Sequence, residues 1–457
     1  MQQTSDLSYA LLAFGCMIIH IILQRRNYGY LPDWDSSSHL YCGFLLYKKV
    51  DIRHSYKVGI KWGLPRLYAL IWPIIMKGFD HRIVNTLAGL SLIVFVAIHF
   101  APDHGIAPLL CLYFITLFIN SPYINSQTSC TEFLDTPLLL FLFSLDTGSN
   151  EGHIVLLQLL LICVISLLTK AINISYSLIP LLNFWENFSY EEAFLVFVLL
   201  TCTVGVLFLA NRSSSSNYVK SRGILHAKGL KYIIANPVFF CLNCAASLHI
   251  ATIEFGIGTQ VILVAWGCLV IQRMPTFYFW YPITIFNAFF LVRNYDSVGD
   301  TIVYMFLWVL LVMSTFSIIS LFFPPARFET MMRLIFGLER YNREFEYDTD
   351  MSNIKWLKCN IRTDEKVYLW GSKTVLLLKS DLLHVDTTYY SHNHLLYWSD
   401  INDNEGYAVD QIISKTPEYI IEAGTIEKWN FPIEKLAHLY KEEIKNRGMR
   451  VFCLRET

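Results

Sequence analysis

The sequence predicts a mainly α-helical membrane protein, a polytopic transmembrane bundle of about eleven spans followed by a C-terminal α/β domain. Two observations support this fold class. Apolar runs of span length recur up to about residue 323. Only 16% of all residues are charged, whereas soluble domains carry about 25%. After the two prolines at 324–325 the sequence becomes an ordinary charged mixture. We therefore expect a membrane module at 1–323 and a soluble domain at 324–457.

The predicted spans are mostly apolar runs of about 20 residues, or somewhat fewer where flanking side chains reach the bilayer surface. The first run lacks a basic segment before it and a small-residue cleavage site, which favours a retained span over a cleaved signal. Cys241-x-x-Cys244 has metal-like spacing, but no second pair accompanies it. The predicted spans are residues 7–23, 83–100, 106–120, 132–145, 153–169, 171–183, 191–210, 234–250, 256–272, 275–292 and 301–323.

A long loop, residues 25–82, separates the first two spans. Its first half predicts a helix that starts after Asp35, is capped by the serines at 36–38 and continues to Tyr47. Its second half contains an apolar run at 64–76 that is interrupted by Pro73. This run is short for a span, so we expect a helix that lies in the membrane interface.

The C-terminal domain alternates helix and strand signals, which is typical of an α/β fold. It contains no glycine-rich phosphate loop and no Ser/His/Asp or Cys/His pattern of a nucleophilic enzyme. The predicted strands are residues 366–371, 375–378, 419–422 and 450–454, and the predicted helices are residues 331–343 and 433–445.

Asp33 and Asp35 lie two residues apart just beyond the first predicted span. A carboxylate at a membrane surface can act as a general base on an acceptor hydroxyl, or it can ligate a divalent cation. The alternative is that both acids are simply solvated. His39 follows about one helical turn later, which favours a site over two isolated surface acids.

Glu132 and Asp135 form a second acidic pair at the start of a predicted span. Acids at or inside a span are costly and usually face a cavity or a partner. Two acids three residues apart also share one face of a helix. The alternative is that Asp135 caps the helix, or that both acids interact favourably with its N-terminus.

Because the chain changes sides of the membrane at each predicted span, Lys170, Arg273 and the basic loop 211–231 lie on the side of the long loop and the tail. The basic loop includes Arg222. The positive-inside rule would make that side cytoplasmic. The alternative is that these cations face an anionic ligand on the outer side. Acids and cations on one face suit a reaction on a phosphorylated lipid, in which cations stabilise a phosphate leaving group and a carboxylate activates the acceptor.

In their order and spacing, these motifs resemble the GT-C superfamily of integral-membrane glycosyltransferases, which use polyprenyl- or dolichyl-phosphate sugars. The similarity is closest to the branch with bacterial protein O-mannosyltransferases and the aminoarabinose transferase of lipid A. It covers nearly the whole chain through short motifs: Asp33-Trp-Asp35 with His39-Leu-Tyr41, Leu64-Pro65-Arg66-Leu67-Tyr68, Asp135-Thr136-Pro137-Leu138, Leu168-Thr169-Lys170, Arg273, and in the tail Val367-Tyr368-Leu369-Trp370-Gly371, Thr416-Pro417-Glu418-Tyr419-Ile420-Ile421, Tyr440 and a closing arginine.

The resemblance implies an inverting transfer of a sugar from a polyprenyl-phosphate donor to a hydroxyl of a glycolipid, polysaccharide or protein acceptor. It further implies a multi-pass protein of the cell (inner) membrane with an extracytoplasmic α/β tail. The chain departs from the family in lacking an Asp-Glu pair in the first loop and a paired proline in the Pro-Leu element. The choice of base between the two aspartates therefore stays open, and Asp35 is favoured because it is nearer to His39.

The implied roles are distributed over the loop and the span ends. Asp35 is the expected general base, and Asp33 supports it or binds a cation. Metal dependence stays open, because Asp33, Asp35, Glu132 or Asp135 could each ligate a divalent ion. The expected substrate-binding residues are His39, Tyr41, Lys61, Glu132, Asp135, Lys170, Arg222 and Arg273.

Two other classes of function remain. A transporter or flippase of a lipid-linked sugar would move its ligand without bond chemistry, and it predicts inverted repeats that the sequence does not display. A non-catalytic membrane subunit predicts that the acids and cations are individually replaceable. The expected partners are the lipid-linked sugar donor, the glycan, lipid or protein acceptor and the bilayer, and no nucleic acid.

Overall fold

The computed structural model describes residues 34–50, 64–76, 135–136, 138–139, 142–143, 152–169, 171–184, 188–212, 237–253, 256–272, 281–293, 347–371, 373–385, 409–424, 431–446 and 448–455. This part of the chain is mostly helical and contains a small sheet. The chain forms two compact units. We call them the helical unit (Met1–Tyr30, Phe79–Leu207 and Leu225–Asn342) and the loop–tail unit (Leu31–Gly78, Phe208–Ile224 and Arg343–Thr457).

The elements are numbered along the chain. They are α1 (Trp34–Tyr47), α2 (Leu64–Met76), α3 (Gly152–Leu168), a 3-10 helix (Ala171–Ser177), α4 (Leu178–Phe184), α5 (Tyr190–Arg212), α6 (Pro237–Ile253), α7 (Ile257–Gln272), α8 (Tyr281–Arg293), α9 (Tyr347–Asn360), β1 (Val367–Gly371), α10 (Thr374–Ser380), α11 (409–415), β2 (Tyr419–Ala423), α12 (Ile433–Leu436), β3 (Tyr440–Asn446) and β4 (Met449–Leu454).

In the helical unit, α3, the 3-10 helix and α4 form a hairpin. Leu181 of α4 packs against Val155 and Leu159 in the first half of α3, so the chain turns back after α3 ends. The side chain of Gln158 in α3 donates to the backbone oxygen of Leu142 at 3.2 Å. The described residues between 135 and 143 are helical, so this bond ties them to the hairpin.

The segment predicted as a span at 171–183 is not one continuous α-helix, because a 3-10 helix is followed there by the short α4. Local side-chain bonds give a physical reason. Asn173 donates to the Thr169 hydroxyl at 3.0 Å, and Ser177 donates to the backbone oxygen of Ile174 at 2.6 Å. Such bonds offer the backbone an alternative to the regular α-helical pattern.

Among the described helices, α5 contains the one stretch that is long and apolar enough to cross a membrane, Tyr190–Leu207, and most of it is exposed. Shorter apolar segments occur at His153–Leu168, Phe240–Thr252, Ile257–Ile271 and Pro282–Leu291. The predicted bundle of eleven spans is therefore not shown. The predicted spans at 7–23, 83–100, 106–120 and 301–323 lie outside the described residues.

A capping box starts α5. The Ser189 backbone N–H donates to the Glu192 carboxylate at 2.9 Å, and the Glu192 backbone N–H donates to the Ser189 hydroxyl at 3.3 Å. This reciprocal pair satisfies two backbone donors that the first turn of a helix otherwise leaves without partners. The start of this apolar helix is thus encoded by local polar residues.

In the loop–tail unit, α1 and α2 pack closely against each other. A side-chain carbon added at Gly43 would lie only 2.6 Å from Cβ of Tyr68, so glycine is required at this contact. The Phe44 and Trp72 rings lie 5.5 Å apart beside it. The predicted helix up to Tyr47 is confirmed, although it begins at Trp34, so the serines at 36–38 lie inside it and are not caps. Residues 64–76 are also helical.

The tail contains a four-stranded sheet in the order β1-β2-β4-β3. β1 and β2 are parallel, and the other two pairs are antiparallel. The predicted strands at 366–371, 419–422 and 450–454 are confirmed with small shifts of their ends. The core beneath the sheet is aromatic and aliphatic: Tyr368, Trp370, Val409, Ile412, Ile420, Phe431, Leu436, Tyr440 and Phe452.

Two predictions for the tail are wrong. Residues 375–378 belong to α10, because a short run that is buried throughout does not distinguish a strand from a buried helix. Residues 433–445 form the short α12 and most of β3, because pairing with β4 outweighs the local helical pattern. The predicted helix at 331–343 lies outside the described residues.

Candidate functional site

Asp35 lies in the first turn of α1, and the tail holds this helix at two points. The Ser38 and Thr374 hydroxyl oxygens lie 3.5 Å apart, which joins α1 to the start of α10. The Tyr41 hydroxyl donates to the backbone oxygen of Leu382 at 2.9 Å and accepts from the backbone N–H of His384 at 2.8 Å. The acid-bearing helix is therefore fixed to the tail through contacts that span more than 330 residues of sequence.

Tyr41 is fully buried, and its burial raises its pKa well above the ordinary tyrosine value. The hydroxyl therefore stays protonated and acts as both donor and acceptor to the tail backbone. The resemblance implies a role for Tyr41 in substrate binding. Its observed contacts are those of a residue that positions α1. His39, two residues earlier, is also buried.

Polar and aromatic groups of the tail lie close to these two joints. Lys373, which precedes α10, places its ammonium group 2.8 Å from the Asp350 carboxylate of α9. The His384 ring packs against the Tyr368 ring of β1 with centroids 4.7 Å apart. The contact with α1 is thus continuous with the packed interior of the tail.

A second polar cluster lies in the helical unit around Asp135. The Asp135 carboxylate is buried and accepts a 2.8 Å hydrogen bond from the Asn173 side chain and a 3.3 Å bond from the Thr136 hydroxyl. Asn173 also reaches Thr169. The carboxylate is therefore linked through Asn173 to Thr169, just after the end of α3. Asp135 thus makes tertiary contacts that a purely local cap would not need.

Of the residues predicted for the site, the structure describes the side chains of His39, Tyr41 and Asp135. For Asp35 it describes the backbone position. It places His39 and Tyr41 on α1 within the loop–tail unit, and it places Asp135 in the helical unit. The residues predicted for the site that lie outside the described ranges are Asp33, Lys61, Glu132, Lys170, Arg222 and Arg273.

No group of three or more His, Cys, Asp or Glu side chains within the described ranges could hold a metal ion. The carboxylate at Asp135 has an amide and a hydroxyl as neighbours, and both donate hydrogen bonds to it. A cation would need oxygen lone pairs there instead. The described contacts of Asp135 therefore suit a carboxylate held by hydrogen bonds.

The sequence analysis missed several polar residues of the helical unit. Asn243, Ser247 and Asn287 form a network between α6 and α8: the Asn287 amide donates to the Asn243 side chain at 3.0 Å, and Ser247 lies 3.0 Å from the Asn287 side-chain oxygen. The Trp266 indole of α7 donates to Ser247 at 2.9 Å. The signal in the sequence is an isolated amide inside an apolar run, since such groups commonly bond between helices. The same signal applies to Asn173.

The tail motifs that carry the resemblance also come together. The strands at Val367–Gly371 and Tyr419–Ala423 are direct neighbours in the sheet. The Tyr440 hydroxyl donates to the backbone oxygen of Pro417 at 2.9 Å, and Arg455, the last arginine of the chain, donates to the Tyr440 backbone oxygen at 3.3 Å. These contacts give the motif residues a structural role, because they join β3 to the segments before β2 and after β4.

The chain matches no protein-family model and no curated protein. Its function is therefore inferred from its own residues and from the contacts described above.

Proposed function

We propose that the chain is a GT-C-type membrane glycosyltransferase that moves a sugar from a polyprenyl-phosphate donor to an acceptor hydroxyl on the extracytoplasmic face. The single observation that supports the proposal most is the attachment of α1 to the tail through Tyr41. A surface loop would not need a buried tyrosine with two hydrogen bonds at this point. A loop that carries a reacting acid does need one, because catalytic groups must be held in a fixed geometry.

In the proposed reaction, Asp35 accepts the proton of the acceptor hydroxyl while its oxygen attacks the anomeric carbon of the sugar. The bond between that carbon and the phosphate oxygen breaks, the configuration inverts, and the polyprenyl phosphate leaves. Lys170, Arg222 and Arg273 are proposed to stabilise the negative charge on the leaving phosphate. Asp33 supports Asp35, and His39 and Lys61 line the site.

Asp135 is proposed, together with Glu132, to shape the sugar or acceptor site. Its support is the hydrogen bonding from Asn173 and Thr136, which fixes a buried carboxylate beside the 3-10 helix. A buried acid that served only as a cap would gain nothing from a side chain 38 residues further along the chain. Such acids in apolar helices usually face a polar cavity or a partner.

Asp35→Asn provides the direct test. The variant keeps the shape of the side chain but lacks a base, so we expect transfer of labelled sugar from a polyprenyl-phosphate donor to fall by about 10²–10⁴-fold. Purification yield and melting temperature in detergent should match the wild type. The matched control is Asp410→Asn, at an exposed position of α11, which should transfer normally. Near-normal transfer by Asp35→Asn would remove Asp35 as the base.

The same assay separates the two alternative classes. A flippase would change the sidedness of the labelled lipid in vesicles and release no polyprenyl phosphate. A non-catalytic subunit would do neither, and replacement of single acids would leave its phenotype intact. Release of polyprenyl phosphate that depends on an added acceptor is the result expected of a transferase.

A further inference from the structure

One face of α2 is packed, and the opposite face, which is also apolar, is exposed. The side chains of Tyr68 and Trp72 are buried on the side of α1. Four aliphatic residues with the spacing i, i+3, i+4 and i+7 share the other side of the helix and are partly or largely exposed. At the centre of this side, Leu70 is 79% exposed. We call these four residues the outer stripe: Leu67, Leu70, Ile71 and Ile74.

The composition of α2 is not that of a helix that faces water. Its only charged residue is Arg66, whereas a surface helix normally has charged and polar residues opposite its packed face. Within the same unit, α9 follows the normal pattern, because its exposed residues include Lys355, Lys358 and Asn360. The outer stripe therefore suits an apolar environment.

α1 lies between α2 and the tail. Gly43, which meets α2, is about 140–160° around the helix from Ser38 and Tyr41, which contact the tail. Residues 37–45 of α1 are buried throughout. α2 is therefore the outer layer of this arrangement, and its outer stripe faces away from α1.

A membrane surface is the partner that fits the length and the position of α2. The helix has 13 residues, whereas a spanning helix needs about 20, so α2 can lie on a bilayer and cannot cross it. Six residues separate its last residue, Met76, from the predicted span at 83–100. A link of this size reaches about 25 Å at most, so the predicted span would keep the end of α2 close to the bilayer.

The charges at the two ends of α2 also fit a lipid surface. Arg66 lies in its first turn, and Lys77 follows its last residue in the sequence. Basic residues that flank an apolar stripe can reach the phosphates of lipid headgroups while the stripe lies among the acyl chains. A second protein surface would have no need of cations at both ends of the stripe.

We propose that the outer stripe of α2 inserts into the surface of the bilayer and holds α1 at a fixed distance from the lipid. The axes of packed helices are about 8–10 Å apart, and the close contact at Gly43 favours the short end of this range. The axis of the helix that carries Asp35 therefore lies about 8 Å further from the lipid than that of α2. Insertion is independent of any reaction. Its consequence, that α1 meets a lipid-linked donor at this height, rests on the proposed glycosyl transfer.

Photocrosslinking of the full-length protein in nanodiscs of phosphatidylcholine and phosphatidylglycerol tests insertion. A benzophenone amino acid replaces Leu70 or Ile74. On illumination its ketone oxygen takes a hydrogen atom from a nearby C–H group, and the two carbon radicals join. Trypsin releases both positions in the peptide 67–77, so lipid adducts are read by its mass. We expect phospholipid adducts at both positions.

Met351 on α9 provides the matched control, because it is an exposed apolar residue of the same unit. The same amino acid at position 351 should give no lipid adduct. Three results would overturn the proposal: adducts to protein alone at positions 70 and 74, which would indicate a second copy or another partner; no adduct at either position, which would indicate water; or equal lipid adducts at 70, 74 and 351.

Sugar transfer tests the consequence for α1. The double variant Leu70→Glu with Ile74→Glu should lower transfer from a long-chain donor embedded in the nanodisc by about 10–10²-fold, because the reacting groups no longer meet at the right height. Transfer from a short-chain, water-soluble donor should stay at the wild-type rate, and Met351→Glu should affect neither. An equal fall with both donors would indicate damage to the fold and contradict the role of α2 in setting the height. If the wild type transfers no sugar from either donor, the proposed function fails and the lipid adducts alone decide on insertion.

Discussion

At the residue scale, Gly371 shows how the end of one strand is dictated by its neighbour. Its φ is +128°, and an added Cβ would lie 1.9 Å from the backbone oxygen of Ala423, its partner residue in β2. Residues with a Cβ rarely adopt this conformation, and the space beside it is occupied by backbone that cannot rotate away. The glycine that closes the Val367–Gly371 motif is therefore required by the pairing of β1 and β2.

Gly371→Ala should destabilise the tail by about 3 kcal/mol or more, because strain and overpacking act together. The measurement is the unfolding transition of the purified protein, followed by tryptophan fluorescence, since Trp370 lies in the tail core. Gly205→Ala, where nothing lies within 4 Å of the added carbon, should be neutral or slightly stabilising. Equal transitions for Gly371→Ala and the wild type would contradict the described β1–β2 pairing.

Asn173 is the second residue whose role is decided by a specific contact. Asn173→Leu removes the amide that donates to the buried Asp135, so we expect a loss of about 1.5–3 kcal/mol in stability, the range for hydrogen bonds to charged groups. Asn183→Leu is the matched control, because that amide bonds to Gln260 at an exposed site, and it should cost less. A reversed order of the two effects, measured by thermal denaturation, would remove Asn173 as the support of Asp135.

At the element scale, the attachment of α1 to the tail depends on the hydrogen bonds of Tyr41. Tyr41 bonds to two backbone groups, and its pKa is raised by burial. A raised folded-state pKa means that this contribution is complete below the unfolded-state value of about 10 and is lost as the pH rises above it. The attachment should therefore hold at neutral pH and weaken in strong base.

Tyr41→Phe should expose this dependence. The variant leaves the N–H of His384 and the carbonyl of Leu382 without their partner, so we expect a loss of about 1–3 kcal/mol. Hydrogen exchange of residues 382–384 should speed up, and the steep loss of wild-type stability above about pH 10 should become shallower. Tyr47→Phe is the control, because Tyr47 is partly exposed at the end of α1. Unchanged exchange at 382–384 in Tyr41→Phe would show that the bonds do not hold α1.

The helices of the loop and three of the four strands follow from the sequence, because turn residues and apolar patterning encode them locally. The pattern fails where long-range contacts decide the outcome. Residues 375–378 are buried by the contacts of α10 with α1, α9 and β1, so their apolar pattern has no period. Residues 440–446 become a strand only because β4 pairs with them. The attachment of α1 to the tail depends on contacts between residues more than 330 positions apart, which no local pattern contains.

At the scale of the whole molecule, the attachment of α1 to the tail means that the loop and the tail must lie on the same side of any membrane that the chain crosses. The even number of predicted spans between the loop and the tail requires the same. Whether that shared side is cytoplasmic or extracytoplasmic can be tested by labelling. Cys359, exposed on α9 of the tail, offers a direct probe.

A variant that keeps Cys359 as its single cysteine should react with a membrane-impermeant maleimide in intact cells if the tail is extracytoplasmic. The control is Cys163, buried in α3, which as the single cysteine should stay unlabelled before and after permeabilisation. Labelling of Cys359 only after the cells are permeabilised would place the tail in the cytoplasm. That result would remove the proposed glycosyl transfer on the outer face.

The bond between Tyr41 and Leu382 also has a consequence for biosynthesis. The two residues are 341 positions apart, and ribosomes add about 5–20 residues per second. The helix that carries the acids therefore emerges about 20–70 s before its partner exists. During that interval its buried face must be shielded by lipid, by a chaperone or by the growing chain. A message truncated before residue 374 would leave the helix in that immature state, so such products should be degraded rapidly even though every predicted span is intact.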